Sequence, residues 1–170
     1  MTSIAASPLP DASLLQPYVR DGGFTDCYVT DVAGQVSHAR YVEAFYTTPL
    51  FRVERFILRW AAASPSSDRD AREMAQGRSD SFAAWQVEGR RENQVILAAG
   101  RTRSWLMVVP ASSGGQPATR LYFGSAIVPA RRVGRIKMGL LFTALLGFHK
   151  LYSRALLRAA RSRLENSGER

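Results

Sequence analysis

Residues 130–164 read ARRVGRIKMGLLFTALLGFHKLYSRALLRAARSRL, and the fold turns on how this stretch is read. No proline follows Pro129 in it, so it predicts one long C-terminal helix. Its first part, 138–148, is apolar nearly all round. Its second part is amphipathic, with Lys150, Arg154, Arg158 and Arg161 forming a positive row. An apolar helix face of this length needs a partner surface. The preceding chain supplies one.

Four strand-like segments lead into the helix: 82–88 (FAAWQVE), 94–99 (QVILAA), 102–109 (TRSWLMVV) and 119–128 (TRLYFGSAIV). The links between them are short, and the third is 110–118 with its Ser-Ser-Gly-Gly. Short links imply hairpins, hence an antiparallel meander.

Upstream, FTDCYVTDV (24–32) alternates as a first strand and Gly34 ends it. Ser37 is a plausible N-cap for a helix from His38 to about Tyr46, with Tyr41, Val42, Phe45 and Tyr46 as its apolar stripe. Thr48-Pro49 then reads as a cap and first position of a second helix, running to about Ala62. Val53, Phe56, Ile57 and Trp60 give that helix its apolar face. Asp68 to Gln76 can form one or two helical turns closed by Gly77. Residues 1–13, rich in Pro, Ser and Ala, are expected to be poorly ordered. The predicted fold is therefore α+β in one domain, 1–170, with its core in 24–164. An antiparallel sheet of about five strands wraps on a long C-terminal helix, and two short helices follow the first strand.

Composition adds bounds. The chain has 170 residues, 46% hydrophobic and 22% charged, which suits a single folded core. Cys27 is the lone cysteine, so no intrachain disulfide or cysteine metal cluster forms. It reads as a small buried hydrophobe, with a reactive thiol as the alternative. The net charge of +9 is unevenly spread. Residues 1–130 carry 13 Lys/Arg against 12 Asp/Glu, and residues 131–170 carry 10 against 2. The excess thus sits on or beside the long helix. It is either a solvated outer face or a patch for an anionic membrane surface. No aromatic stacking platform is interleaved with it, so nucleic acid is not expected as a partner. The first residues lack a basic n-region and a continuous apolar core, and no run is apolar enough to span a bilayer. The expected compartment is the cytoplasm.

The element order, with the stretches TPLFRVERFIL, RTRSW, FGSAIVP and FHKLYSRALL, resembles an uncharacterised bacterial family within the START-like superfamily. That superfamily includes Bet v 1-type allergens and polyketide cyclases (SRPBCC proteins). The resemblance implies a helix-grip fold, in which a curved sheet wraps the C-terminal helix around a cavity. The superfamily commonly has seven strands. The polar stretch 63–80 leaves about five here. It shares no catalytic residues, so the resemblance carries over no active site.

The residues themselves offer candidates rather than a motif. The two histidines, His38 and His149, lie in different predicted helices, and no cluster has metal-ligand spacing. No cofactor is expected. His149 lies three residues before Tyr152, so the pair could bind a polar group or move a proton, or His149 could sit hydrogen-bonded at the core edge. Arg101, Arg103 and Trp105 share a strand face. That row could anchor a ligand anion, or face solvent with its stems on the indole, or place Arg103 against Glu54 in a buried ion pair. Trp60, Trp85, Tyr122 and Phe142 complete the aromatic supply for a pocket or for plain core. Gly139 and Gly147 inside the long helix suggest close approach of the sheet or space for a ligand.

Three functions stay open. The first is a module binding a small hydrophobic or amphipathic molecule, lipids included, between sheet and helix, and it is the preferred one. The second is a cyclase- or hydratase-like enzyme using polar cavity residues. The third is peripheral membrane attachment through the basic helix. An exposed 138–148 segment would also favour a homodimer.

Overall fold

The computed structural model describes residues 3–53, 66–128 and 140–168, with side chains of 149–167 in the last segment. Its elements are β1 (Ala5–Ala6), α1 (Gln16–Arg20), β2 (Phe24–Ala33), α2 (His38–Tyr46), α3 (Asp68–Ala75), β3 (Ser81–Phe82), β4 (Trp85–Arg91), β5 (Gln94–Ala99), β6 (Thr102–Ser113), β7 (Gln116–Ile127) and α4 (Leu140–Gly168). Residues 49–53 are also helical. The architecture is α+β: an open antiparallel sheet with α2, α3 and α4 packed on one face and the short α1 on the other.

The sheet has seven strands in the order β1-β2-β7-β6-β5-β4-β3, not the expected five. The two extra strands are two residues long, too short to show an alternating pattern. β3 and β4 come from the segment read as one strand, 82–88. Ala83 adopts φ +53°, a left-handed conformation unusual for alanine, and folds Phe82 back against Trp85. β6 and β7 run further than expected, through Pro110 to a hairpin tip at Gly114-Gly115, both at positive φ. β6 tolerates Pro110 because β5 ends opposite Met107, leaving β6 with one neighbouring strand there.

The local signals before the meander act as expected. Ser37 Oγ accepts the Arg40 N–H at the start of α2. Tyr41, Val42, Phe45 and Tyr46 are buried. Thr48 Oγ1 accepts the Phe51 N–H at 3.2 Å and caps the next turn. There the predicted face shifts: Phe51 is buried and Val53 is 58% exposed. Phe56, Ile57 and Trp60 lie outside the described residues. Ser67 and Asp70 form a capping box on α3, and Gly77 at φ +73° closes it.

The inner sheet face and the helices share the main core. From α4, Ser153, Leu156, Leu157, Ala160 and Leu164 are buried, at helical spacing. Lys150, Arg154 and Arg158 stand exposed. The outer sheet face carries a second cluster of Leu15, Cys27, Ile96, Trp105, Met107 and Ala126. The N-terminal segment covers it. Leu15 is 0% exposed, Gln94 Oε1 accepts the Leu14 N–H at 3.0 Å, and Gly124 leaves room for the Leu15 side chain. Within residues 3–13, Ala5–Ala6 pair with β2 as an edge strand, and the chain leads from there into a strap across the sheet.

Candidate functional site

Alternation along the strands decides what the inner face offers. β7 presents Leu121, Phe123 and Ser125 inward, and its partner β2 presents Tyr28 and Asp26. Asp26 and Ser125 are directly opposed, and α4 passes over them, carrying His149, Tyr152 and Ser153. A cavity of about 130 Å³ lies between the layers. Phe45, Phe51, Trp85, Phe123 and Leu156 form its apolar wall. Thr102, Ser104, Ser125, His149, Tyr152 and Ser153 supply its polar border.

Ser125 Oγ donates to Asp26 Oδ1 at 2.5 Å, and the Ser125 backbone N–H reaches the same oxygen at 3.1 Å. With its one proton spent, the hydroxyl oxygen accepts from His149 Nε2–H at 2.7 Å. The same nitrogen lies 3.4 Å from Asp26 Oδ2. Burial pushes the Asp26 carboxyl up, but the hydrogen bonds from His149 and Ser125 and the nearby His149 charge together hold it below the usual carboxylate range. A carboxylate, a hydroxyl and an imidazole therefore fix one another at the cavity edge. The Phe24 ring meets His149 edge-on with centroids 6.3 Å apart.

Of the sequence candidates, Trp85, His149 and Tyr152 gather at this cavity, while Arg103 touches its edge from β6 with its side chain turned to the outer face. Trp105 and Tyr122 do not, because their parity puts them on the outer face. Trp105 is fully buried there, and its Nε1–H donates to Gln94 Oε1 at 2.8 Å. Arg101 is exposed and donates to the Val128 carbonyl. Arg103 pairs with Glu88 rather than waiting for a ligand, and its Nε–H donates to Tyr18 Oη at 2.9 Å. Trp60, Glu54, Gly139 and the side chain of Phe142 lie outside the described residues. So do the side chains of 138–148, which bear the membrane and dimer expectations.

Asp26 and Ser125 escaped the sequence reading. Their signal was strand parity: Asp26 alternates with the apolar Tyr28 and Val32, which places a carboxylate on the covered face. Cys27 is buried, and burial with the adjacent Asp26 charge pushes its thiol up to about 12, which keeps it protonated and unreactive.

A larger depression of about 540 Å³ lies on the other flank of α4, beside Lys150, Leu151 and Arg154. It is a surface groove, and Arg154 stacks over the Tyr28 ring at 5.5 Å. Among the described residues, no group of three His, Cys, Asp or Glu could hold a metal ion. Among them too, no helix is long and apolar enough to cross a membrane. No protein-family model matches this sequence, and no curated protein matches it.

Proposed function

We propose that this protein binds a small amphipathic molecule in the cavity between its sheet and its C-terminal helix. The arrangement proposed is helix-grip-like, similar to the START-like superfamily. The observation that carries the reading is the convergence of Trp85 from β4 and His149 and Tyr152 from α4 on one cavity with an aromatic wall and a polar border. Its size limits the ligand. Drug-sized ligands need about 300 Å³ or more, and the cavity holds about 130 Å³. An apolar cavity of about 150 Å³ admits benzene. The ligand is therefore a single-ring or similarly compact molecule, and a long-chain lipid is disfavoured. Titration of the ¹⁵N-labelled full chain with single-ring aromatic compounds tests this. Shifts centred on Trp85, Phe123, Ser153 and Leu156 are expected. Their absence, together with native mass spectra free of co-purified ligand, refutes it.

A second reading, an enzyme of the cyclase or hydratase kind, is favoured by the linked Asp26, Ser125 and His149 at the cavity edge. It predicts that His149→Gln retains the ligand but abolishes its conversion. Retained conversion ends that reading.

A further inference from the structure

Lys150, Arg154 and Arg158 fall four residues apart on α4, so they form one row with steps of about 6 Å. All three are exposed, and none forms an ion pair among the described residues. By contrast, Arg52, Arg69, Arg72, Arg103, Arg120 and Arg161 each meet a carboxylate. Arg20, Arg40 and Arg78 also form no ion pair, but they stand apart along the chain and make no row. The row contains two like-charge pairs at helical contact distance, and residues 149–164 hold no Asp or Glu to offset them. The helix dipole does not offset them either. Its pull is confined to the last turn, and Arg158 stands more than two turns before the end of α4 at Gly168.

Two further features share this face. Leu151 is 68% exposed beside Lys150. The groove of about 540 Å³ is rimmed by Lys150, Leu151 and Arg154 and floored by the edge that β1 makes with the start of β2. Arg154 is braced over the Tyr28 ring, which holds its charge at the rim. The one carboxylate lining the groove, Asp26, is held by Ser125 and His149 on the inner side of the sheet.

We propose that the outer face of α4 docks on an anionic membrane surface, with an acidic phospholipid headgroup seated in the groove between Lys150 and Arg154. The row meets the headgroup charge, and Leu151 enters the boundary between headgroups and acyl chains. That exposed leucine favours a bilayer over a nucleic acid, which offers no apolar layer and finds no free stacking ring here, since Arg154 covers Tyr28. The opposite face of α4 is committed to the core through Leu156, Leu157 and Ala160, so the helix lies on the surface and does not insert. The cavity between sheet and helix plays no part in this contact.

Flotation of the full chain with phosphatidylcholine vesicles, with and without about 30% phosphatidylserine, tests it at about 0.05 and 0.5 M salt. Binding is expected only with phosphatidylserine and only at the lower salt. Reversing the row, Lys150→Glu with Arg154→Glu and Arg158→Glu, is expected to weaken binding by about tenfold or more. The same reversal at Arg20, Arg40 and Arg78 changes the net charge equally and is expected to weaken it by less than about threefold. Leu151→Ser is expected to weaken it by about threefold or more. If the row variant does not fold, Lys150→Glu with Arg158→Glu carries the comparison, because it leaves Arg154 on Tyr28. Equal losses from the two reversals overturn the proposal, since net charge alone then explains the binding. So does an absence of binding to phosphatidylserine vesicles at the lower salt, or no loss in Leu151→Ser. Tighter, row-dependent binding of polyglutamate or duplex DNA than of the vesicles also overturns it, and assigns the row to an acidic protein or to nucleic acid.

Discussion

Replacing His38 by Gln isolates a strong pH dependence built into the seating of α2 on the sheet. His38 is 8% exposed, and its Nε2–H donates to the Leu106 carbonyl at 3.3 Å. Burial pushes its pKa from 6.5 to about 4, with the Leu106 hydrogen bond opposing and the charge of Arg90 assisting. The folded state keeps the ring neutral over a range where the unfolded chain takes up a proton. Stability is thus fully present above pH 6.5, falls as the pH drops to about 4, and changes no further below that. Over this interval the loss amounts to about 3 kcal/mol, a large share of a typical domain's stability. Glutamine can still donate to Leu106 but does not titrate. Urea unfolding, followed by tryptophan fluorescence for both proteins at several pH values from 7.5 to 4, gives the difference directly. The wild type should lose about 3 kcal/mol relative to His38→Gln between the extremes. A difference constant to within about 0.5 kcal/mol would mean that His38 titrates normally when folded, and the burial argument would be wrong.

Other perturbations address the remaining links. Asp26→Asn should cost about 1–3 kcal/mol at pH 7, by removing the carboxylate that Ser125 and His149 share. Since the Asp26 pKa is held below its ordinary value of 3.8, that cost should vanish as the pH falls below about 4. Chemical denaturation at pH 7 and pH 3 checks both points. Gly124→Ala should destabilise by about 1–3 kcal/mol. Its Cβ would stand 2.8 Å from Leu15 Cδ1 and 2.9 Å from the Asp26 carbonyl oxygen, and the backbone oxygen cannot yield as a side chain would. Leu15→Ala should cost about 2–5 kcal/mol if the strap packs as described, and a thermal shift near zero would show that it does not.

The physical character of each signal explains what could be read beforehand. α2 carries a strong helical period and β5 a short apolar run between turn residues, and the structure places them at His38–Tyr46 and Gln94–Ala99. The long helix was legible from its apolar spacing, which matches the buried row from Ser153 to Leu164. β1 and β3 were not legible, because two residues carry no period and Ala83 carries no turn signal. The strap from Leu9 to Tyr18 was not legible as a cover for the sheet, because its few apolar side chains carry no period of their own. What seats them is the second apolar face of the sheet, a tertiary effect. The same effect moved Trp105 and Tyr122 out of the candidate site. Alternation put them on one face and Trp85 and Phe123 on the other, but sequence could not tell which face the helix covers.

The central claim is an accessible cavity between Trp85, Phe123 and Leu156 on the helix-covered side of the sheet. A crystal of the full chain pressurised with xenon tests it most directly. One strong anomalous peak among those three side chains is the predicted result. No peak there, with the space filled by protein side chains, would contradict it.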